Sequence, residues 1–500
     1  MIDILLINVP QISLVYPPAA TSLLKGICET NGFSAKVKDF NLELYTACDD
    51  NNIKTELDQW FSLNNFSTVL SDKSQAYLDL FLENTIQEIL KINPRWLGIS
   101  VFTFQCQIFT TLLLKNIRSR YQGKIVVGGA GLSTNGIAAA KTDFAKWLLD
   151  QELIDYYIRG EGDRLLIDLL NDRHEQPGIN NDELQQIENL DLLPYPNYED
   201  VVDLPYQWST GQTQLPITGS RGCIRSCSFC DIHVAWPKYR YRSGELIAKE
   251  MIEQYNKHNV TSFWFTDSLI NGSMKTFRSL CNALIDFYNQ QKFPKKFFRW
   301  GGQFVVRDSK SMTVLDYQLA AEAGMNGVAM GVESLSESVR DHMKKGFSND
   351  DLDFTLSQMH KNDMNCYFLM MVGYPTETSA DFQNGIDKFN EYQPYALDGT
   401  IYGINLGTTV SIDEGTPLFH AMNSDPLAHR EIKGFDWVYP GNPELTFKER
   451  IRRRIFLQEE LMRLGYKIWN GDSQLIKLKE AYDKISHGTY KTQIWLQVAE

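Results

Sequence analysis

Five hundred residues with 43% hydrophobic content are enough for roughly two to four packed domains, which excludes a disordered chain. A formal charge of −13 with no long basic run argues against nucleic acid as the main partner, because phosphate binding needs clustered Lys and Arg. No stretch approaches the ~18 uninterrupted apolar residues of a membrane span. Eight cysteines, three of them clustered, do not make a disulfide framework, so the expected setting is a reducing cytoplasm.

The chain begins Met1-Ile-Asp-Ile-Leu-Leu-Ile-Asn8, without the basic start and cleavage site of a signal peptide. Ile2–Asn8 reads instead as a strand buried on both faces. A Pro-containing loop, Val9 to Pro18, leads to a helix over Ala19–Asn31 that Asn31-Gly32 ends. Ala35–Phe40 is the next strand. Residues 46–92 are polar and helical by pattern, an insertion. Trp96–Phe102 and Lys124–Gly129 are buried strands either side of a helix over Ile108–Tyr121, and Asp155–Arg159 is the last strand. This alternation predicts a doubly wound parallel α/β sheet over residues 1–165, with its ligand crevice beyond the carboxyl ends of the strands. The loops there hold Val9 and Pro10, Thr103, the run Gly128-Gly129-Ala-Gly131-Leu-Ser133-Thr134, and Arg159-Gly160-Glu161-Gly162. The glycines let backbone approach a ligand closely. Residues 166–212, polar and Pro-bearing, read as a linker.

Leu215–Gly219 is a strand that runs into Ser220-Arg-Gly-Cys223-Ile-Arg-Ser-Cys227-Ser-Phe229-Cys230-Asp-Ile-His233. Three cysteines spaced C-x3-C-x2-C leave one iron of a [4Fe–4S] cube without a local protein ligand, open to a small molecule. The same loop could hold zinc as a Cys3His site with His233. Five further strands follow in alternation with helices: Ser262–Thr266 ending in Asp267, Phe297–Phe304 ending near Arg307, Gly327–Val332 ending in Glu333-Ser334, Cys366–Val372 ending in Gly373-Tyr-Pro375, and Thr400–Asn405. Together they predict about six βα units, a partial (β/α)6 TIM-like barrel over residues 213–412, with its chemistry at the carboxyl ends. Arg240 and Arg242 are further cations after the cysteines. Residues 413–500 are mostly helical, a lid or substrate wall, or plain helix packing. The basic stretch Lys448 to Arg454 reads as a solvated helix face.

The cysteine loop resembles that of the radical S-adenosylmethionine (SAM) enzymes, and residues 1–165 placed before it resemble the cobalamin-binding domain of the B12-dependent members. The GG-x-x-x-ST and RGEG segments carry that second resemblance. It implies that Cys223, Cys227 and Cys230 ligate a [4Fe–4S] cluster whose open iron takes SAM. It implies SAM contacts at Phe229, Asp267, Arg307, Glu333, Ser334, Gly373 and Pro375. It implies cobalamin contacts at Val9, Pro10, Thr103, Gly128, Gly129, Ser133, Thr134, Gly160 and Glu161, while Arg240 and Arg242 could hold either ligand. The family's Asp-x-His-x-x-Gly cobalt-ligating motif is missing, and no histidine precedes His174, so a bound cobalamin would have no histidine below cobalt. The implied reaction is reductive SAM cleavage to a 5′-deoxyadenosyl radical with methyl transfer from methylcobalamin. The electron donor would be a low-potential flavodoxin or ferredoxin. Cyclisation, rearrangement or oxidation without methylation remains open, as do a methylthiotransferase and an Fe–S or cobalamin sensor. The sequence names no substrate and no acid or base.

Overall fold

The structure, a computed structural model, describes residues 2–10, 15–63, 69–132, 143–206, 213–407, 409–425, 431–469 and 471–486. It divides into two compact units, Met1–Pro216 and Ile217–Glu500.

The first unit is built on five strands: β1 (Ile4–Asn8), β2 (Ala35–Asp39), β3 (Trp96–Ser100), β4 (Lys124–Gly128) and β5 (Tyr156–Ile158). They lie in the order β2-β1-β3-β4-β5, parallel throughout. Reversal of strand order beside β1 places a switch point between β1 and β3, where open α/β sheets bind ligands. Every residue of β1 is buried, as the continuous apolar run requires. Gly98 lies opposite Leu6 in register, and a β-carbon there would come within 2.8 Å of Leu6 Cδ2. Phe40, expected in the second strand, instead opens a helix, Phe40–Thr46, and the inserted segment after it forms two more, Asn51–Leu63 and Asp72–Ile92. It is less peripheral than its polarity suggested, because Trp60, Phe61, Leu78 and Phe81 join the core of the sheet.

Residues 171–206, expected as a linker, pack back on this sheet. Asp200 bonds Lys25 Nζ at 2.6 Å and Val37 N at 2.9 Å. Tyr206 donates to Asp39 at 2.7 Å, and Ile179 bridges Ile158.

A six-stranded sheet starts with Gln214–Ile217, which crosses the unit boundary, and continues in the second unit with Ser262–Phe265, Arg299–Phe304, Met325–Glu333, Asn365–Met370 and Ile401–Asn405, neighbours in chain order. From Ser262–Phe265 onward each neighbouring pair is parallel. Helices return the chain between strands. Three of them open with reciprocal capping boxes, Thr313 with Asp316, Ser348 with Asp351 and Thr378 with Asp381, which fix where each loop hands over to helix. The C-terminal part adds helices Pro417–Asn423, Phe447–Arg463 and Gly471–Ser486. Among the described residues no helix is long and apolar enough to cross a membrane.

Candidate active site

The cysteine loop is closed at its base. Ser220–Arg221 pairs antiparallel with Arg240–Tyr241. Gly222 enters the loop at φ 85°, with Lys238 O only 2.6 Å from where a β-carbon would stand. Inside the loop, Arg225 N donates to Cys223 Sγ at 3.4 Å, and Cys230 N to Cys227 O at 3.1 Å. Ser228 anchors the far side: its N–H bonds Met343 O at 3.0 Å, its hydroxyl pairs with Tyr374 OH at 2.8 Å, and its carbonyl accepts from Leu418 N at 2.7 Å. The three thiols are free; Cys227 is buried, while Cys223 and Cys230 are half-buried. Burial pushes the Cys230 thiol up to about 11. Burial also raises Cys227, against the pull of the Lys345 ammonium.

His233 Nε2 lies 2.6 Å from Arg225 O. It donates to that carbonyl, so this ring nitrogen ties the loop together and offers no lone pair to zinc. Among the described residues no trio of His, Cys, Asp or Glu is gathered about one point for a single ion. Three cysteines on one loop, with His233 engaged elsewhere through Nε2, would suit a cube, which needs one thiolate for each of three irons, better than a closed zinc site.

The residues expected at SAM fall into three groups. Phe229 and Glu333 come together through Lys345, whereas the Ser334 hydroxyl accepts from Ser336 N at 3.2 Å. Lys345 Nζ lies 3.2 Å from Glu333 Oε1 and 5.8 Å over the Phe229 ring. Glu333 ends its strand at φ 64°, and Ser334 N donates to Val332 O at 2.8 Å. That is the positive-φ form of a γ-turn, a strained conformation worth roughly 1–3 kcal/mol. The strand register shifts at the same place. The turn is held by Met371 N on Glu333 O at 2.8 Å and by the buried guanidinium of Arg340 on Ser334 O at 2.8 Å. The conformation aims the Glu333 carboxylate at Lys345.

Asp267 and Arg307 turn inward instead. Asp267 accepts from Gly219 N and Ser220 Oγ, both at 2.7 Å; it fixes the strand end that feeds the cysteine loop. Burial pushes its carboxyl up to about 7. Arg307 donates to Asn271 O at 2.9 Å and Gly272 O at 2.6 Å. Arg242 is buried on Glu250 and Thr218 O, and Arg240 Nε on Lys238 O.

Gly373 and Pro375 lie in a loop governed by the C-terminal helix. Gly373 has φ 81°, and a β-carbon there would meet Arg450 Cγ at 2.5 Å. Asn442 donates to Pro375 O at 3.1 Å and Glu377 O at 3.0 Å. Arg453 pairs with buried Glu377 at 2.9 Å. The basic stretch expected as a solvated face is therefore solvated only at Lys448 and Arg452. Arg450, Arg453 and Arg454 are buried. The i, i+3, i+4 spacing of these three puts them on one helix face, and that face is the inner one. Arg450 bonds the carbonyls of Phe435, Trp437 and Leu445 and lies 3.6 Å over the Trp437 ring. Trp437, Leu418, Met422 and Ile432 form one apolar cluster with Tyr374, and Phe229 packs against it. Leu418, Met422, Ile432 and Trp437 thus cover the side of the loop that bears Phe229.

In the first unit Val9 and Pro10 are buried at the end of β1. A β-carbon at Gly129 (φ 119°) would run into Val101 O, and one at Gly131 into the carbonyl of Thr103, whereas at Gly128 it would meet nothing within 4 Å. The glycine loop therefore packs on the loop after β3 and leaves the backbone open at Gly128, at the carboxyl end of β4, one strand from the switch point. Gly160 and Glu161 serve another purpose: Glu161 N bonds Gln185 O at 3.0 Å, and its carboxylate accepts from Ile187 N at 2.7 Å. Ser133 and Thr134 lie outside the described residues. His174, the first histidine, stacks on Tyr156, at the opposite end of β5 from the ligand crevice.

Residues 217–389 match the radical SAM superfamily. The chain is similar to the anaerobic magnesium-protoporphyrin IX monomethyl ester cyclase of Synechocystis sp., 25% identical over 246 residues that make up 46% of each protein. It is also similar to the bacteriochlorophyllide d C-12(1)-methyltransferase of Chlorobaculum tepidum, 22% identical over 289 residues, 57% of this chain and 58% of that one. The chain spans about half the length of these curated relatives. Its structure is similar to the radical SAM methyltransferase TsrM of Kitasatospora setae with cobalamin and [4Fe-4S] cluster bound, at a TM-score of 0.59 and 17% identity, over 84% of this chain and 77% of that one. It is similar too to the cobalamin-dependent radical enzyme OxsB with aqua-cobalamin and SAM bound, at 0.58 and 14%, over 84% and 54%. The second unit therefore carries a radical SAM domain, which implies a [4Fe-4S] cluster and SAM, in a chain with the fold of the cobalamin-dependent radical SAM enzymes.

Proposed function

We propose that this protein is a cobalamin-dependent radical SAM methyltransferase acting on an unactivated carbon. The observation that carries the reading is the cysteine loop itself: three free thiols on a loop closed by Gly222, pinned by Ser228 and flanked by Lys345 and Arg225. When bound, the cofactors would supply the chemistry: the cluster an electron for SAM cleavage, SAM the hydrogen-abstracting radical, and methylcobalamin the methyl group. The protein's part is positional. Cys223, Cys227 and Cys230 would hold three irons. Asp267 holds the strand end that enters the loop. Glu333 presents a carboxylate, and Phe229 an aromatic face, where SAM would lie. Leu418, Met422, Ile432 and Trp437 exclude water from the Phe229 side, as radical chemistry requires.

In the first unit Val9, Pro10, Thr103, Gly128 and Gly129 would receive cobalamin, with no histidine below cobalt. A low-potential flavodoxin or ferredoxin would deliver the electron. The eight free cysteines suit a reducing cytoplasm.

Anaerobic incubation of the reconstituted protein and a cell extract with SAM labelled in its methyl group tests this. Label should appear in a carbon-bound methyl of one product, with 5′-deoxyadenosine formed alongside. A second reading, cyclisation or oxidation without methylation, is favoured by the similarity to a cyclase. It would give 5′-deoxyadenosine with no label in the product, and that result would overturn the methyltransferase assignment.

A further inference from the structure

Lys345 is aimed at the cysteine loop by the backbone around it. The helix Glu337–Met343 ends at Lys344 in the left-handed conformation, φ 58°, and Gly346 follows at φ 68°. Lys345 N bonds back to Arg340 O at 3.0 Å. This tight helix end turns the Lys345 side chain toward the carboxylate of Glu333 and the ring of Phe229. The same helix end accepts the cysteine loop: Ser228 N bonds Met343 O, and Ser228 Oγ bonds His342 O at 3.3 Å.

Two glycines make the arrangement possible. A β-carbon at Gly331 would come within 2.6 Å of Glu333 Oε1 and 3.1 Å of Lys345 Nζ. One at Gly346 would collide with Arg225 Nη1. Arg225 Nη2 donates to Val306 O at 3.2 Å, while its buried Nε has no hydrogen-bond partner among the described residues. Two cations on separate chain segments thus flank the loop that carries the three cysteines: Lys345 Nζ stands 5.8 Å over the ring of Phe229, the residue before Cys230, and Arg225 lies within the loop between Cys223 and Cys227, its N–H on Cys223 Sγ at 3.4 Å. The anions nearby are Glu333, felt at Cys227, and Asp231, felt at Cys230.

We propose that Lys345 and Arg225 are cationic walls of the cluster site that set its reduction potential, making the one-electron reduction of the cluster easier. The inference rests on the cluster reading above. Each electron added to a thiolate-ligated cube adds one negative charge. A fixed cation about 10 Å away in a protein-like dielectric favours the reduced form by roughly tenfold. Glu333 opposes Lys345, so the two members of this pair act with opposite sign.

The test is an anaerobic dithionite titration of the full chain with reconstituted cluster and no SAM, followed by electron paramagnetic resonance. Lys345→Gln leaves Glu333 bare, so its midpoint should fall by about tenfold in the reduction equilibrium, near 59 mV for one electron. Lys345→Arg should stay close to wild type. Arg225→Gln should fall like Lys345→Gln, and Glu333→Gln should rise. Unchanged midpoints in both Gln variants of the cations would overturn the proposal, as would Lys345→Arg shifting as far as Lys345→Gln. If Lys345→Gln takes up no iron, Arg225→Gln decides by the same criteria. Loss of the cluster from both also overturns it, because the cations would then serve assembly and not potential. A wild type that takes up no iron would instead refute the cluster reading itself.

Discussion

Asp267 gives the sharpest stability test, because its carboxylate is buried yet has no cation hydrogen-bonded to it. Burial raises it to about 7, and the donors on Ser220 and Gly219 only partly oppose that rise. An unfolded aspartate has a pKa near 3.8. Between these two values the folded protein holds a proton that the unfolded chain has released. The sign follows: this contribution to stability is complete below about pH 4 and is lost as pH rises through 7. At ~1.4 kcal/mol per pH unit, wild type loses ~3 kcal/mol from this one group between pH 5 and 8.5. Asp267→Asn removes the titration and keeps the geometry, because its amide oxygen can accept from Gly219 N and its NH2 can donate to Ser220 Oγ. Urea unfolding of both proteins under reducing conditions across that range should show the variant gaining on wild type as pH rises. At pH 8.5 it should be the more stable. Asp267→Ala should be destabilised throughout, by ~1–3 kcal/mol for the orphaned Gly219 N–H, and should bind less iron. Parallel pH profiles for wild type and Asp267→Asn would refute the reasoning.

The remaining predictions concern single contacts. Gly222→Ala should fold but lose most of its iron on reconstitution, since a β-carbon faces Lys238 O at 2.6 Å and φ is 85°; full iron content would show that the loop yields. Arg453→Leu leaves Glu377 buried and unpaired and should lose about 3–5 kcal/mol in denaturant unfolding. Adding Glu377→Gln should recover a large part of that loss, and no recovery would mean that packing, not charge, was removed. Gly128→Ala should leave the thermal midpoint unchanged, because the new methyl meets nothing within 4 Å, while weakening cobalamin binding in spectroscopic titration; Gly129→Ala should be unstable, against Val101 O.

The strand–helix alternation and the cysteine spacing were legible because each rests on local pattern. The γ-turn at Glu333 was not legible: its strain depends on Arg340 and Met371 N, which no local pattern reports. Asp267 and Arg307 stand at strand ends as expected, but whether such a side chain points out to a ligand or back to a backbone N–H is decided by tertiary packing. Lys345 left only a faint signal, a lysine before Gly346 at a helix end. The arginines of Phe447–Arg463 carried a usable one: three at i, i+3, i+4 share a face, and their burial needed carbonyls from Phe435 and Trp437 that only the fold supplies. Polar composition misled at residues 171–206, where Asp200 serves Lys25 across 175 positions.

The most direct measurement of the central claim is 5′-deoxyadenosine formation by the anaerobically reconstituted full chain with SAM and dithionite, read beside its iron content. Wild type should hold about four irons and form 5′-deoxyadenosine. Cys223→Ala, Cys227→Ala and Cys230→Ala should each form none, while Cys106→Ala, buried in the core of the first unit, should remain active. Tight stoichiometric zinc in place of iron, or 5′-deoxyadenosine from any of the three loop variants, would contradict the account.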